Sequence, residues 1–255
     1  MKLSTPTSDR LRRALYIPDA RNETAEGVVA RMEILMDEFE RTPSCAMLIP
    51  FLHTYLLITK AVVRERLHFV YPRELETFDV SFAHHYFRPL EQFLFADKLV
   101  APWSTYYQYC SRPDGSAFVQ MLLGINAHIN GDLGRTLFET SYRRRKDFLH
   151  INTILENEIP RVLRYLAFTH KDAISMGGLV WRQFIKREFT RVVVAWRQDA
   201  WSGARAMRTG RATSRQLMRG TEHIAEELIV TFEDLYRLRR VAKRVRDIEG
   251  LRLRL

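Results

Sequence analysis

Residues 124–133 read GINAHINGDL and place polar chemistry inside an otherwise apolar run. On a helix, His128 and Asp132 stack on one face, four positions apart. From there an imidazole and a carboxylate can bind one divalent metal ion or share one proton. Asn126 and Asn130 make a second pair at that spacing on an adjacent face, suited to positioning substrate or water. Met121, Leu122, Leu123, Leu133 and Leu137 flank these groups, so each needs a partner if burial is not to be penalised. Three arrangements meet that demand: a hydrogen-bonded network holding helices in register, a metal or catalytic site, or a groove for a partner. Glycine inside a helix costs about 1 kcal/mol relative to alanine. Gly124, Gly131 and Gly134 therefore imply the close approach of another backbone or a ligand.

Neighbouring helices offer groups to complete such a centre. Asp79 and Asp147 are the further candidate metal ligands, with His150 three positions after Asp147, and a metal held there would activate bound water. Tyr86 shares a face with Asp79 and Phe82 and could hydrogen-bond into the centre or serve as its acid. Arg197 and Trp201, four apart, could stack as cation and ring or, with Asn152, contact substrate. Adjacent His84 and His85 point about 100° apart on a helix, which predicts one buried and one exposed. His53, among Leu52, Tyr55 and Leu56, reads as a core histidine. The sequence contains no GxSxG elbow, P-loop, GxGxxG, HExxH or DDxxD phrase, which removes the enzyme classes built on them.

The elements that must position these groups are helices. Val28, Met32, Leu35, Met36 and Phe39 recur at three- and four-residue steps between Thr24 and Arg41, and Thr42-Pro43 ends the pattern. Cys45 to Leu67 is apolar on most sides, as in a helix through the core. Pro72 suits the first turn of a helix to about Phe95. A connection through Ala101-Pro102-Trp103 leads to a short aromatic helix, and Pro113-Asp114-Gly115-Ser116 is a turn whose Ser116 can cap the next helix. Ala117 to Tyr142, Asp147 to His170, Leu179 to Met207 and Thr221 to Ile248 follow. No period-two alternation appears, so the expected fold is all-α: an irregular bundle of seven to nine helices in a single domain over 1–255, with a basic part over about 211–255.

A net charge of +10 on 255 residues comes mostly from arginine, concentrated in Arg143 to Lys146 and Arg237 to Arg254. Such an excess attracts nucleic acid, anionic lipid or a phosphorylated substrate. Arginines spaced among Glu and Asp also form ordinary solvated helix faces, and no nucleic-acid-binding pattern is present, so nucleic acid is the lesser reading beside a small molecule or an acidic partner. The most apolar window, Ala46 to Val63, is interrupted by Pro50, His53, Thr54 and Lys60. It reads as a buried helix and not as the roughly 20 apolar residues that cross a bilayer. Met1 to Arg13 shows no export signal, and Cys45 and Cys110 lack metal or disulfide spacing, so a cytoplasmic protein with reduced thiols is expected.

The phrase NAHINGDL resembles the signature of a bacterial, all-helical family known as domain of unknown function 5995. The resemblance extends to Asp79, Phe82, Ala83 and Tyr86, to Asp147, Phe148, Ile151 and Asn152, and to Arg197, Ala200 and Trp201, so it covers about Ala46 to Trp201 in order. It implies an all-helical fold with a shared polar centre and no defined activity. More loosely, the His-x-x-x-Asp of His128 and Asp132 is similar to that of zinc-dependent phospholipases C and single-strand nucleases. That likeness implies metal-dependent phosphoester hydrolysis, although their further downstream histidine is missing here.

Overall fold

Helix starts follow from local chemistry. In a computed structural model of the chain, which describes residues 5–16, 23–112, 115–170 and 179–252 (without the side chains of 179–182 and 235–252), Thr24 caps α2, Ala25–Arg41, by accepting from the Gly27 amide. It is preceded by α1, Thr5–Leu15, which buries Leu11, Ala14 and Leu15 and which the periodicity did not announce. Pro72 occupies the first turn of α4, Pro72–Ala96, as expected. Ser116 accepts from the Val119 amide and caps α6, Ala117–Asn126. The Pro113-Asp114 half of that expected turn and the side chains of Arg237 to Arg254 lie outside what is described.

The apolar stretch expected as one helix from Cys45 is divided. A 3-10 turn, Pro43–Leu48, precedes α3, Ile49–Arg64. Together these 22 residues are long and apolar enough to cross a membrane by length and composition, but 56% of the apolar window is buried inside the protein, against α2, α6 and α8. The remaining elements are α5, Ser104–Cys110; α7, Gly134–Glu139; α8, Arg145–Thr169; α9, Leu179–Arg208; and α10, Ser214–Arg252. A π-helical segment, Ala127–Leu133, joins α6 to α7 in one continuous rod. With that rod counted once, the described residues form nine helices and no strand, an all-α single-domain fold.

The α6-π-α7 rod is the axis of the bundle. Every residue of α6 is buried, and α3, α4, α5, α9 and α10 surround the rod. Its glycines permit that enclosure. A Cβ on Gly124 would lie 2.4 Å from Phe51 Cγ, and one on Gly131 would lie 2.1 Å from Pro102 Cγ. Alanine at 131 would gain about 1 kcal/mol of helix propensity and lose more to overpacking, typically about 1–3 kcal/mol and here at its upper end. Gly131→Ala should therefore lower the Tm by several degrees in a thermal melt, and an unchanged or raised Tm would contradict this packing.

His84 and His85 correct the expectation of one buried and one exposed ring, because both are buried. Each faces a carboxylate from a distant element: His84 Nε2 lies 2.5 Å from Glu23 and His85 Nε2 lies 3.0 Å from Glu139. Both cysteines are buried and neither forms a disulfide.

Candidate functional site

The π segment carries the predicted pair. A π-helix closes i→i+5 hydrogen bonds and is wider than an α-helix, and such segments recur at functional sites. Here it brings His128 Nδ1 to 3.2 Å from Asp132 Oδ2, and Thr136 Oγ donates to the Asp132 carbonyl at 2.9 Å. The same Asp132 oxygen accepts from the Trp103 indole N–H at 2.9 Å, and Trp103 is wholly buried. Burial pushes the Asp132 carboxyl well above its ordinary range, against the Trp103 hydrogen bond. Burial also holds His128 well below the usual histidine value, helped by His85, so the ring is neutral. Nδ1 pairs with Asp132, and Nε2 is buried without a protein partner.

Aromatic rings fix the imidazole in place. Phe82, from α4, stacks on it at 3.6 Å with an 8° interplanar angle, and Tyr55, from α3, meets it edge-on at 4.6 Å. His128, Phe82 and Tyr55 form one side of an internal cavity with about 80 Å³ open to the centre of a water-sized sphere, enough for several waters or a small ligand. Most of the other walls are aliphatic or aromatic, including Phe51, Ile125 and Leu155.

Two charged groups enter this apolar space. Asp79 lies one helical turn before Phe82 on α4, is half-buried, and has no hydrogen-bond or ion-pair partner among the described residues. Burial pushes its carboxyl up to about 7, against the pull of Arg197 and with a smaller push from Glu76. Arg197, on α9, is 4% exposed and held from behind by α8. Its Nε donates to Asn152 Oδ1 at 2.7 Å, one Nη donates to the Phe148 carbonyl at 3.0 Å, and the guanidinium lies 4.3 Å from the Phe148 ring centroid. Burial lowers Arg197 to about 10, so it remains a cation at neutral pH, and its other Nη has no protein partner. The site therefore holds a fixed cation, a carboxyl that titrates near neutrality and a neutral imidazole.

The other predicted residues go elsewhere. Asn126 donates to the Thr221 carbonyl at 2.8 Å and accepts from Asn130 at 2.8 Å, so that pair ties the rod to α10 and is absent from the cavity wall. Tyr86 is fully buried between Phe51 and Trp103, with its hydroxyl unpartnered, and does not line the cavity. Asn152 serves as the acceptor that orients Arg197. Arg197 stacks on Phe148 and not on Trp201, because α8 supplies both its hydrogen bonds and the ring. Trp201 instead lies beneath Arg145, at 5.0 Å.

The expected metal set needs correction. Asp147 accepts the Val70 and Tyr71 amides at 2.9 and 2.8 Å, which anchors the entry to α4, and His150 rests on Phe69. Among the described residues no three His, Cys, Asp or Glu side chains come together as a metal-holding group, so His128, Asp132, Asp147 and Asp79 do not converge. His128 and Asp132 are two donors already bonded to each other.

Trp103 and Tyr55 were not singled out from the sequence. The signal for Trp103 was available, since a tryptophan enclosed by a connection must find an acceptor for its N–H. A family model described as a family of unknown function, DUF5995, matches residues 25–235, beyond the Ala46 to Trp201 stretch at both ends. No curated protein and no solved structure matches the chain.

Proposed function

From the premise that the chain belongs to the DUF5995 family of unknown function, we propose that its central cavity binds a small, chiefly apolar molecule bearing one anionic group. Arg197 fixes that group and Asp79 exchanges a proton with it. The observation that carries this reading is a carboxyl with no protein partner in an apolar cavity also lined by a clamped guanidinium. Ligand pockets combine apolar walls with a few placed polar groups, and a protonated carboxyl beside a cation is a matched receptor for a carboxylate. The His128 ring, which lines the cavity beside Phe82, adds a polar edge whose Nε2 has no protein partner. Proton exchange at Asp79 gives the pocket acid/base character, because a group that titrates near the working pH is suited to that task. The Asn126, Asn130 and Asp132 contacts are read as the frame that holds the π segment.

The sign of the pH dependence follows from charge. Below about pH 7, Asp79 is protonated and the pocket carries the Arg197 charge alone. Above it, the ionised Asp79 opposes an incoming carboxylate. Calorimetric titration with hexanoate and phenylacetate should show affinity falling from about pH 6 to about pH 8.5, by at most tenfold per unit. Asp79→Asn should bind with little pH dependence, and Arg197→Gln should lose about tenfold or more. No binding of either acid to folded protein at the lower pH, or an Asp79→Asn variant with the same pH profile as the parent, overturns the assignment.

A further inference from the structure

Outside the cavity, the arginines at the start of α8 and the end of α9 form a second concavity. Arg143, Arg145, Trp201, Arg205, Arg208 and Thr209 line an open hollow of about 620 Å³ with no acidic side chain in its wall. Several other arginines are matched by acid: Arg31 with Glu23, Arg66 with Glu26 and Glu76, Arg144 with Glu74, Arg135 with Glu139. The four arginines of the hollow have no carboxylate partner among the described residues.

The wall is built and not merely crowded. Arg208 donates from one Nη to the Leu137 and Tyr142 carbonyls at 2.6 and 2.8 Å, which pins its guanidinium across the end of α7. Arg145 donates to Gln198 and lies 5.0 Å from the Trp201 ring centroid. Arg208 Nε and one Arg145 Nη are buried without an acceptor. Arg143 and Arg205 are exposed at the rim. Burial, followed by repulsion from Arg143 and Arg205, holds Arg208 below its ordinary value, so the cluster carries like-charge strain that an anion would relieve.

We propose that the Arg143–Arg145–Arg205–Arg208 hollow is an anion site for the phosphate groups of a small phosphorylated ligand. Several guanidiniums round one concavity suit a multiply charged anion, and phosphate matches their planar fork in both geometry and charge. A single carboxylate would leave most of the cluster unopposed. The two pinned arginines supply the floor, and Arg143 and Arg205 close on the anion from the rim. This site is separate from the Asp79 cavity and does not rest on the reading of that cavity.

Inorganic pyrophosphate is the probe, titrated calorimetrically at low and at moderate salt. The 255-residue chain should bind it with affinity that falls as salt rises, and Arg143→Glu/Arg205→Glu should bind about tenfold or more weakly. Both positions are exposed, so the double variant should keep the parent's circular dichroism and Tm. Asp79→Asn should bind pyrophosphate as the parent does, which separates failure here from failure at the cavity. Sedimentation with phosphatidylserine/phosphatidylcholine vesicles and titration with a single-stranded RNA are parallel arms. Absence of pyrophosphate binding, binding unchanged in the folded double variant, or charge-dependent binding to vesicles or RNA alone would each overturn the proposal.

Discussion

Asp79→Asn is expected to stabilise the protein at and above neutral pH and to leave it nearly unchanged near pH 4. The carboxyl titrates at about 7 in the folded chain and at about 3.9 in an unfolded one. Between those values the folded chain keeps a proton that the unfolded chain has released, so stability falls as pH rises through that window and levels off above it. Asparagine has no proton to lose and is not subject to that fall. Each unit of pKa difference is worth about 1.4 kcal/mol. Discounted for the partial exposure of the carboxyl, the gain is about 1–3 kcal/mol, a Tm increase of several degrees. Paired melts at about pH 4 and about pH 8 measure it. A variant less stable than the parent at both would mean that Asp79 is held by a structural bond, and the reading of the cavity would fall with it.

A residue that weakens its own fold where it works is what the functional reading requires. Most substitutions destabilise, and those that stabilise by removing a charged group point to a role for that charge other than folding. Asp79 sits one turn from Phe82, the ring that carries His128, so any change to the α4 register moves the acid and the imidazole support together. Arg197 has the opposite design. Its hydrogen bonds to Asn152 and Phe148 satisfy part of a guanidinium that would otherwise be unpaired in the core, and the part left over belongs to the cavity. If hexanoate binds and Asp79→Asn also stabilises, the two measurements locate one proton on one carboxyl from independent directions.

Local signals carried far in this chain. Thr24, Pro72 and Ser116 marked helix starts because caps and first-turn prolines act through their own backbone neighbours. The spacing of His128 and Asp132 marked the polar face of the central rod for the same reason. What stayed hidden was long-range. The π turn cannot be told from an α turn by four-residue spacing alone, and the close approach of Phe51 to Gly124 and of Pro102 to Gly131 joins positions far apart in the chain. His84 and His85 point apart as a helix dictates, yet both are buried because Glu23 and Glu139 arrive from elsewhere. Asp147 reads from the sequence as a further metal ligand beside His128 and Asp132, because residue type says nothing of direction. In the fold it faces the amides of Val70 and Tyr71. Asp79 was legible as part of a face with Phe82 and Tyr86, but its isolation from any partner was not, since an unpaired group is a property of everything around it.

Asp132→Ala should be among the most damaging single substitutions in the core, while Asp132→Asn should be mild. Asp132 Oδ2 is the acceptor for the Trp103 indole N–H and the neighbour of His128 Nδ1, all of it buried. Alanine leaves both nitrogens without the partner they share, at about 1–3 kcal/mol each, and the space it vacates adds a cavity term. The combined loss of about 3–5 kcal/mol corresponds to a Tm drop of roughly 10 °C or more for a chain of this size. Asparagine keeps an acceptor oxygen and, like a carboxyl whose ionised form burial disfavours, carries no charge, so about 1 kcal/mol or less is expected. Melting curves measure the loss, and tryptophan fluorescence reports whether Trp103 has left its buried setting. Carboxylate binding by folded Asp132→Asn should match the parent, because Asp132 frames the imidazole and does not line the cavity. Should alanine at 132 melt with the parent, the Trp103–Asp132–His128 network would carry no stability.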